Sequence, residues 1–101
     1  MPQLKVDLQE GFAADLVVIR LDGHEVHRST ATTRTQLGLA EALSFDMPGV
    51  TRRVSLEVEI PGKNVLSAYG FVPSGDLSVG VSLEPSGVIS FRTSREPFGY
   101  V

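Results

Sequence analysis

Two histidines stand close together in the chain, His24 and His27, with Glu25 between them. Imidazole and carboxylate groups are ligands for zinc, and imidazole is the usual general base of hydrolases. The H-x-x-H spacing brings both rings to one side of a helix, whereas side chains alternate between the two faces of a strand. The surrounding residues predict a strand, so we expect the rings to diverge and to form no metal site.

Other catalytic patterns are missing from the sequence. It contains no G-x-S-x-G elbow for a nucleophilic serine and no glycine-rich loop of the kind that cradles nucleotide phosphates. Asx turns explain four aspartates near predicted turns without a calcium site: Asp15, Asp22, Asp46 and Asp76. We therefore predict no enzyme activity and no cofactor. A small hydrolase using His24 or His27 is a third hypothesis, and it requires an imidazole within hydrogen-bond reach of a hydroxyl or carboxylate in a cleft.

Aromatic side chains could bind a sugar. The chain has no tryptophan, and the candidates for a ligand platform are Tyr69, Phe71 and Tyr100. Core packing accounts for such rings when they are buried, whereas exposed rings favour a carbohydrate or small-ligand binding module. Ligand binding through these three residues is the alternative function.

The C-terminal tail, residues 95–101, is apolar and aromatic, although chain ends are usually polar. Such a segment should be buried, either against its own domain or in a partner. The residues predicted to contact a partner are Pro97, Phe98, Tyr100 and Val101.

Alternation of apolar and polar residues runs through most of the chain and predicts β-strands. It is clearest in residues 4–8, 53–60 and 77–83. Frequent turn signals between seven or eight short strands predict an all-β, antiparallel β-sandwich. A length of 101 residues suits one domain, residues 1–101. Residues 29–47 are harder to interpret; we expect a loop, with at most one helical turn, leading into a strand over about 42–47.

Asp22-Gly23 lies between two strand-like runs and predicts a two-residue hairpin loop, because a type I′ turn needs positive φ at both central residues. This loop predicts three cross-strand pairs: Leu21 with His24, Arg20 with Glu25, and Ile19 with Val26.

Two further turns set the register of later strands. Pro85 and Gly87 suit a type I turn followed by a glycine bulge, which pairs Glu84 with Val88. The strand that follows Pro61-Gly62-Lys63-Asn64 has two registers open. Tyr69 and Phe71 face the core if the loop has four residues, and Leu66, Ala68 and Val72 face it if a bulge intervenes.

Composition limits the compartment and the partners. The formal net charge is −3, the arginines are scattered, and we expect no nucleic-acid binding. There is no cysteine, no signal-peptide pattern and no apolar run near the ~20 residues of a membrane span, so we expect a cytoplasmic protein away from membranes. Since a small open sandwich leaves strand edges unpaired, we expect a non-catalytic interaction module that forms a homodimer.

Part of the sequence resembles the transthyretin-like, carboxypeptidase regulatory-type, β-sandwich modules. The likeness covers residues 16–60 and consists of turn and strand residues in the family's order. They are Val18 to Val26 with its Asp22-Gly23 turn, Thr32-Thr33, Gly38-Leu39, Phe45, Pro48-Gly49 and the strand from Val54 to Ile60. The resemblance implies a non-enzymatic module that supports or binds other proteins, and it carries over no specific binding residue.

Overall fold

The computed structural model describes residues 2–100, which form eight β-strands and no α-helix. The strands, β1 to β8 in chain order, span Gln3–Leu8, Asp15–Leu21, His24–Ala31, Glu41–Asp46, Val54–Ile60, Val65–Phe71, Leu77–Leu83 and Ile89–Ser94. A short 3-10 turn spans Pro61–Lys63. Within this part of the chain, no helix has the length and apolar character needed to cross a membrane.

The strands form two four-stranded sheets that pack face to face. Sheet A has the strand order β4-β1-β7-β8, and sheet B has the order β3-β2-β5-β6. The β1–β7 pairing is parallel, and the other pairings are antiparallel. The predicted all-β sandwich is confirmed, with eight strands. Four strands lie at sheet edges: β4 and β8 in sheet A, and β3 and β6 in sheet B.

One hydrophobic core fills the space between the sheets. Strand β5 shows the pattern in full, because alternate residues from Val54 to Ile60 are buried and those between them are partly exposed. Burial of each such aliphatic side chain contributes roughly 1.5–3 kcal/mol to folding. Side chains with no exposed area include Leu4, Val6, Leu8, Val17, Ile19, Leu56, Val58, Val79 and Val81.

The β2–β3 hairpin departs from the predicted register at one pair. Leu21 pairs with His24 and Arg20 with Glu25 as predicted, but a bulge after Ile19 places that residue opposite His27. The predicted pair of Ile19 with Val26 is therefore wrong. Without the bulge, Arg28 would lie opposite the fully buried Val17 and its charge would enter the core. The bulge places Ser29 there instead and leaves Arg28 exposed, 3.0 Å from a Glu25 carboxylate oxygen.

The other predicted turns agree with the structure. Both Asp22 and Gly23 have positive φ, 55° and 88°. The Glu84 amide donates to the Val88 carbonyl, and Gly87 has a φ of 87°, so the glycine bulge is confirmed. Ile60 pairs with Val65 across a four-residue loop. Tyr69 and Phe71 consequently face inward, and the register with a bulge does not occur.

The segment of residues 29–47 is mostly extended. Strand β3 continues to Ala31, a turn follows that is closed by a bridge between Arg34 and Leu39, and β4 begins at Glu41. The expected strand is present and starts one residue earlier than predicted. The expected loop begins only after Ala31, so the prediction is wrong for residues 29–31, which continue β3.

Candidate functional site

The free edge of β6 is the least protected edge of the sandwich. Strand β6 runs from Val65 to Phe71 without a charged side chain and pairs with β5 in an unbroken register. Leu66 faces outward and is 58% exposed, and Val72, the residue after the end of the strand, is 50% exposed. The other side of the strand has no neighbour in sheet B. Its outer backbone groups are therefore available to pair with another strand.

Aromatic rings close the side of the sandwich where β6 faces β8. The Tyr69 ring lies 6.3 Å from Phe71 and 5.9 Å from Phe91, measured between centroids. Phe71 is buried at 6% exposure, and Tyr69 is half-buried. Two of the three predicted ligand-platform residues therefore belong to this inter-sheet cluster, and neither presents a free ring face like that of a flat sugar platform.

A cavity of about 500 Å³ lies beside this cluster, at the end where β6 and β8 finish. Tyr69 and Phe71 line it, together with two arginines, Arg53 and Arg95. Neither arginine forms an ion pair with a carboxylate of the described residues. The sequence indicated the aromatics but not these arginines, because they lie 42 positions apart and only the folded sheets bring them together.

The opposite side of the sandwich is closed by polar groups. His27 Nε2 lies 2.9 Å from Ser29 Oγ and 3.1 Å from Glu41 Oε1, and Ser29 donates to the same carboxylate oxygen at 2.6 Å. These bonds join β3 of sheet B to β4 of sheet A. In a catalytic triad the serine and the acid bond to different nitrogens of the imidazole. Here His27 lies within hydrogen-bond reach of both a hydroxyl and a carboxylate, but both approach the same nitrogen, Nε2, so the arrangement differs from that of a triad.

The bulge in β3 also changes the expected placement of the histidines. His24 and His27 lie opposite Leu21 and Ile19, whose side chains both face the core side, so the prediction that the two imidazoles diverge across the sheet is wrong. His24 is exposed beside the turn, whereas His27 is partly covered. Among residues 2–100, no group of three or more His, Cys, Asp or Glu side chains is placed to hold a metal ion.

The C-terminal tail lies on the outer face of sheet A. The Tyr100 hydroxyl donates to Asp7 Oδ2 at 2.6 Å and accepts a hydrogen bond from Gln9 Nε2 at 2.9 Å. The Phe98 ring lies under the Arg92 guanidinium, 4.5 Å from its central carbon, in a cation–π contact. Pro97 is exposed, and Val101 lies outside the described residues. The tail thus contacts its own domain, and its role as a partner contact stays a prediction.

A buried glutamine, Gln9, holds the C-terminal tail against sheet A. Gln9 is 4% exposed, and its carbonyl oxygen accepts from Arg92 Nε at 3.2 Å. It fits over Gly80, where a Cβ would come within 2.7 Å of the Gln9 amide carbon. Burial, followed by the hydrogen bond to Asp7, raises the pKa of Tyr100 to about 12. The predicted ligand residue Tyr100 is therefore committed to an internal network.

No protein-family model, curated protein or solved structure matches this chain.

Proposed function

We propose that this domain is a non-catalytic interaction module that forms a homodimer by pairing the free edges of β6. The observation that carries the proposal is the uncharged, regular and unpartnered edge of Val65–Phe71. Monomeric sandwiches usually protect such an edge with charges, proline or a bulge. The cysteine-free composition supports placing the module in the cytoplasm.

The other three edge strands each carry such protection. Strand β3 has charged side chains and the bulge opposite Ile19, β4 begins and ends with an acidic residue, and β8 carries Arg92. Symmetric pairing of β4 would bring Glu41 of one copy opposite Asp46 of the other, and pairing of β3 or β8 would have to accommodate the bulge or the charged side chains. Strand β6 itself carries no charged side chain, and Arg53, which precedes β5, reaches it only at Gly70 near its C-terminal end. This contrast favours β6 over the other three edges.

Antiparallel pairing about a two-fold axis fits the length of β6. Its seven residues centre on Ala68, so a symmetric pairing with Ala68 on the axis uses the whole strand. The two sheets B would join into one continuous eight-stranded sheet. An interface made of one seven-residue strand from each copy buries less surface than the standard interface of about 1,600 Å². We therefore expect a reversible dimer with a Kd on the order of micromolar or weaker.

Light scattering coupled to size exclusion tests the dimer. Ala68→Lys places two ammonium groups opposite each other at the axis, and we expect a monomer at concentrations where the wild type dimerises. Thr30→Lys is the matched control because it adds the same charge to the exposed outer face of the opposite edge strand of sheet B. A wild type that stays monomeric into the millimolar range, or equal effects of both variants, would contradict the proposal.

The resemblance of residues 16–60 to transthyretin-like modules supports the same class of function. These residues form β2 to β5, which include three of the four strands of sheet B. We propose on this basis that the chain is a transthyretin-like module with a supporting role. The geometry of His27, Ser29 and Glu41 also supports a protein without hydrolase activity.

A second candidate function is the binding of a small ligand. The cavity beside Tyr69 and Phe71 supports it, since its volume of about 500 Å³ is in the range of small-molecule sites. Saturable shifts of amide resonances around this cavity, in nuclear magnetic resonance titrations with small ligands, would test the assignment. Shifts at scattered surface positions without saturation would contradict it.

A further inference from the structure

We propose that the cavity at the ends of β6 and β8 binds a small organic anion through Arg53 and Arg95, an inference that rests on the second proposed function. The ligand class is a sugar-sized molecule that carries a carboxylate, sulfate or phosphate group. The charge, the hydrogen-bonding groups and the placement of the two arginines all favour this class.

Every polar side chain that lines the cavity can donate a hydrogen bond. Both guanidinium groups can only donate, and the hydroxyls of Tyr69 and Thr93 can donate as well. No carboxylate of the described residues lines this cavity. Two acidic residues adjoin lining residues along the chain, Asp76 and Glu96, and neither lines the cavity. The Asp76 carboxylate accepts a hydrogen bond from the Gln3 amide. A ligand rich in acceptors and negative charge therefore complements the cavity.

Arg53 reaches the cavity because Gly70 has no side chain. The Arg53 chain crosses the outer face of β6 there, and a Cβ on Gly70 would lie 2.9 Å from its terminal nitrogen Nη1 and 3.3 Å from its Cδ. The residue directly before β5 can thus place its guanidinium at the edge of the neighbouring strand. Gly70 is therefore a positioning residue for Arg53.

Arg95 is held on the other side of the cavity by backbone groups. Its Nη1 donates to the carbonyl oxygens of Ser74 and Asp76, the latter at 3.1 Å. Those bonds fix the guanidinium in place and do not neutralise its charge. An oxyanion between Arg53 and Arg95 could therefore accept hydrogen bonds from a guanidinium, that of Arg95, which is already held in place before the ligand binds.

A second cavity, on the outer face of sheet A, provides a contrast. Arg92 lines it together with Glu10 and Glu84, and the Arg92 guanidinium already stacks on Phe98 and donates to Gln9. The two carboxylates offset the positive charge there. The lining of the cavity beside Tyr69 carries only positive charge, in a chain with a net charge of −3.

Titration of the full chain with inorganic sulfate, inorganic phosphate, D-glucuronate and neutral D-glucose, followed by nuclear magnetic resonance at low ionic strength, tests the proposal. We expect at least one of the anions to give saturable shifts at Gly70 and Thr93 and glucose to give none. Arg53→Gln should weaken binding by about tenfold, because one charge-assisted hydrogen-bond partner is lost. Gly70→Ala should weaken it similarly with both arginines present. Arg34→Gln, which removes an exposed charge elsewhere, should leave it unchanged.

Three results would overturn the proposal in different ways. Absence of saturable shifts with sulfate, phosphate and glucuronate would remove the anion site. Equal binding of glucose and glucuronate would remove the anion selectivity and keep the second proposed function. Equal loss in Arg34→Gln and Arg53→Gln would show that binding follows net charge instead of this cavity.

Discussion

Gly80→Ala is expected to release the C-terminal tail from sheet A. Gly80 lies beneath the buried Gln9 side chain, and an added Cβ would come within 2.7 Å of the Gln9 amide carbon and amide nitrogen. The backbone of β7 is held between β1 and β8, so the glutamine must move instead. Its hydrogen bonds to Tyr100 and Arg92 would then be lost.

The size of the effect follows from these two hydrogen bonds. A neutral hydrogen bond contributes about 1 kcal/mol and one to a charged group about 1.5 kcal/mol or more. Replacing a strand glycine by alanine returns about 0.5 kcal/mol. The expected loss in unfolding free energy is therefore about 2 kcal/mol, which lowers the melting temperature of a domain of this size by about 10 °C.

Urea denaturation followed by circular dichroism measures the stability. Absorbance at alkaline pH, from which the titration of Tyr100→Phe is subtracted to remove the signal of Tyr69, reports the ionisation of Tyr100. Gly49→Ala is the control, since a Cβ there would meet nothing within 4 Å. Gly80→Ala should lower the denaturation midpoint. It should also lower the pKa of Tyr100, because a released tail loses the burial and the hydrogen bond to Asp7 that raise this pKa. Gly49→Ala should change neither. Wild-type stability in Gly80→Ala, with the pKa of Tyr100 still near the folded value of about 12, would refute the assignment of Gln9 as the organiser of the tail.

Three further outcomes are expected. Because folding raises the pKa of Tyr100 from 10.0 to about 12, its contribution to stability should be complete below pH 10 and disappear as the pH rises towards 12; Tyr100→Phe should show no such alkaline loss in a pH series of melting temperatures. Gly87→Val should lower the unfolding free energy by about 1 kcal/mol or more, since a β-branched residue is strained at the φ of 87°; an unchanged urea midpoint would contradict the bulge. Leu56→Ala should cost about 2–5 kcal/mol in the same assay, whereas Leu66→Ala should cost almost nothing, because the first leucine is 0% and the second 58% exposed; similar losses would contradict the assigned β5–β6 register.

Local patterns predicted most of the strands and turns. Gly23 and Gly87 occupy the positive-φ positions that their neighbouring residues indicated, and alternation identified the buried face of β5. Such features depend on residues a few positions apart, where backbone sterics and side-chain period decide the outcome. The two-residue loop was predicted correctly, but the bulge after Ile19 was missed. Its reason lies further along the strands, where an unbroken register would have turned Arg28 into the core opposite Val17.

The polar contacts that define the sites could not be predicted from local sequence patterns, because they join residues far apart in the chain. Gln9 and Tyr100 meet across 91 positions of the chain, and Glu41 meets His27 across the gap between the sheets. Gln9 directly follows β1, and the alternation of apolar and polar residues in that strand predicts that Gln9 faces solvent. Its burial depends on the tail that covers it and on the missing side chain of Gly80, and neither can be known before the sheet order is known.

Hydrogen exchange measured at low and at high protein concentration tests the pairing of β6 edges most directly. Amides of Val65–Phe71 that face away from β5 should exchange more slowly at high concentration, while the edge amides of β3, β4 and β8 keep their rates. Concentration-independent exchange along β6, or an equal slowing at all four edges, would contradict the account.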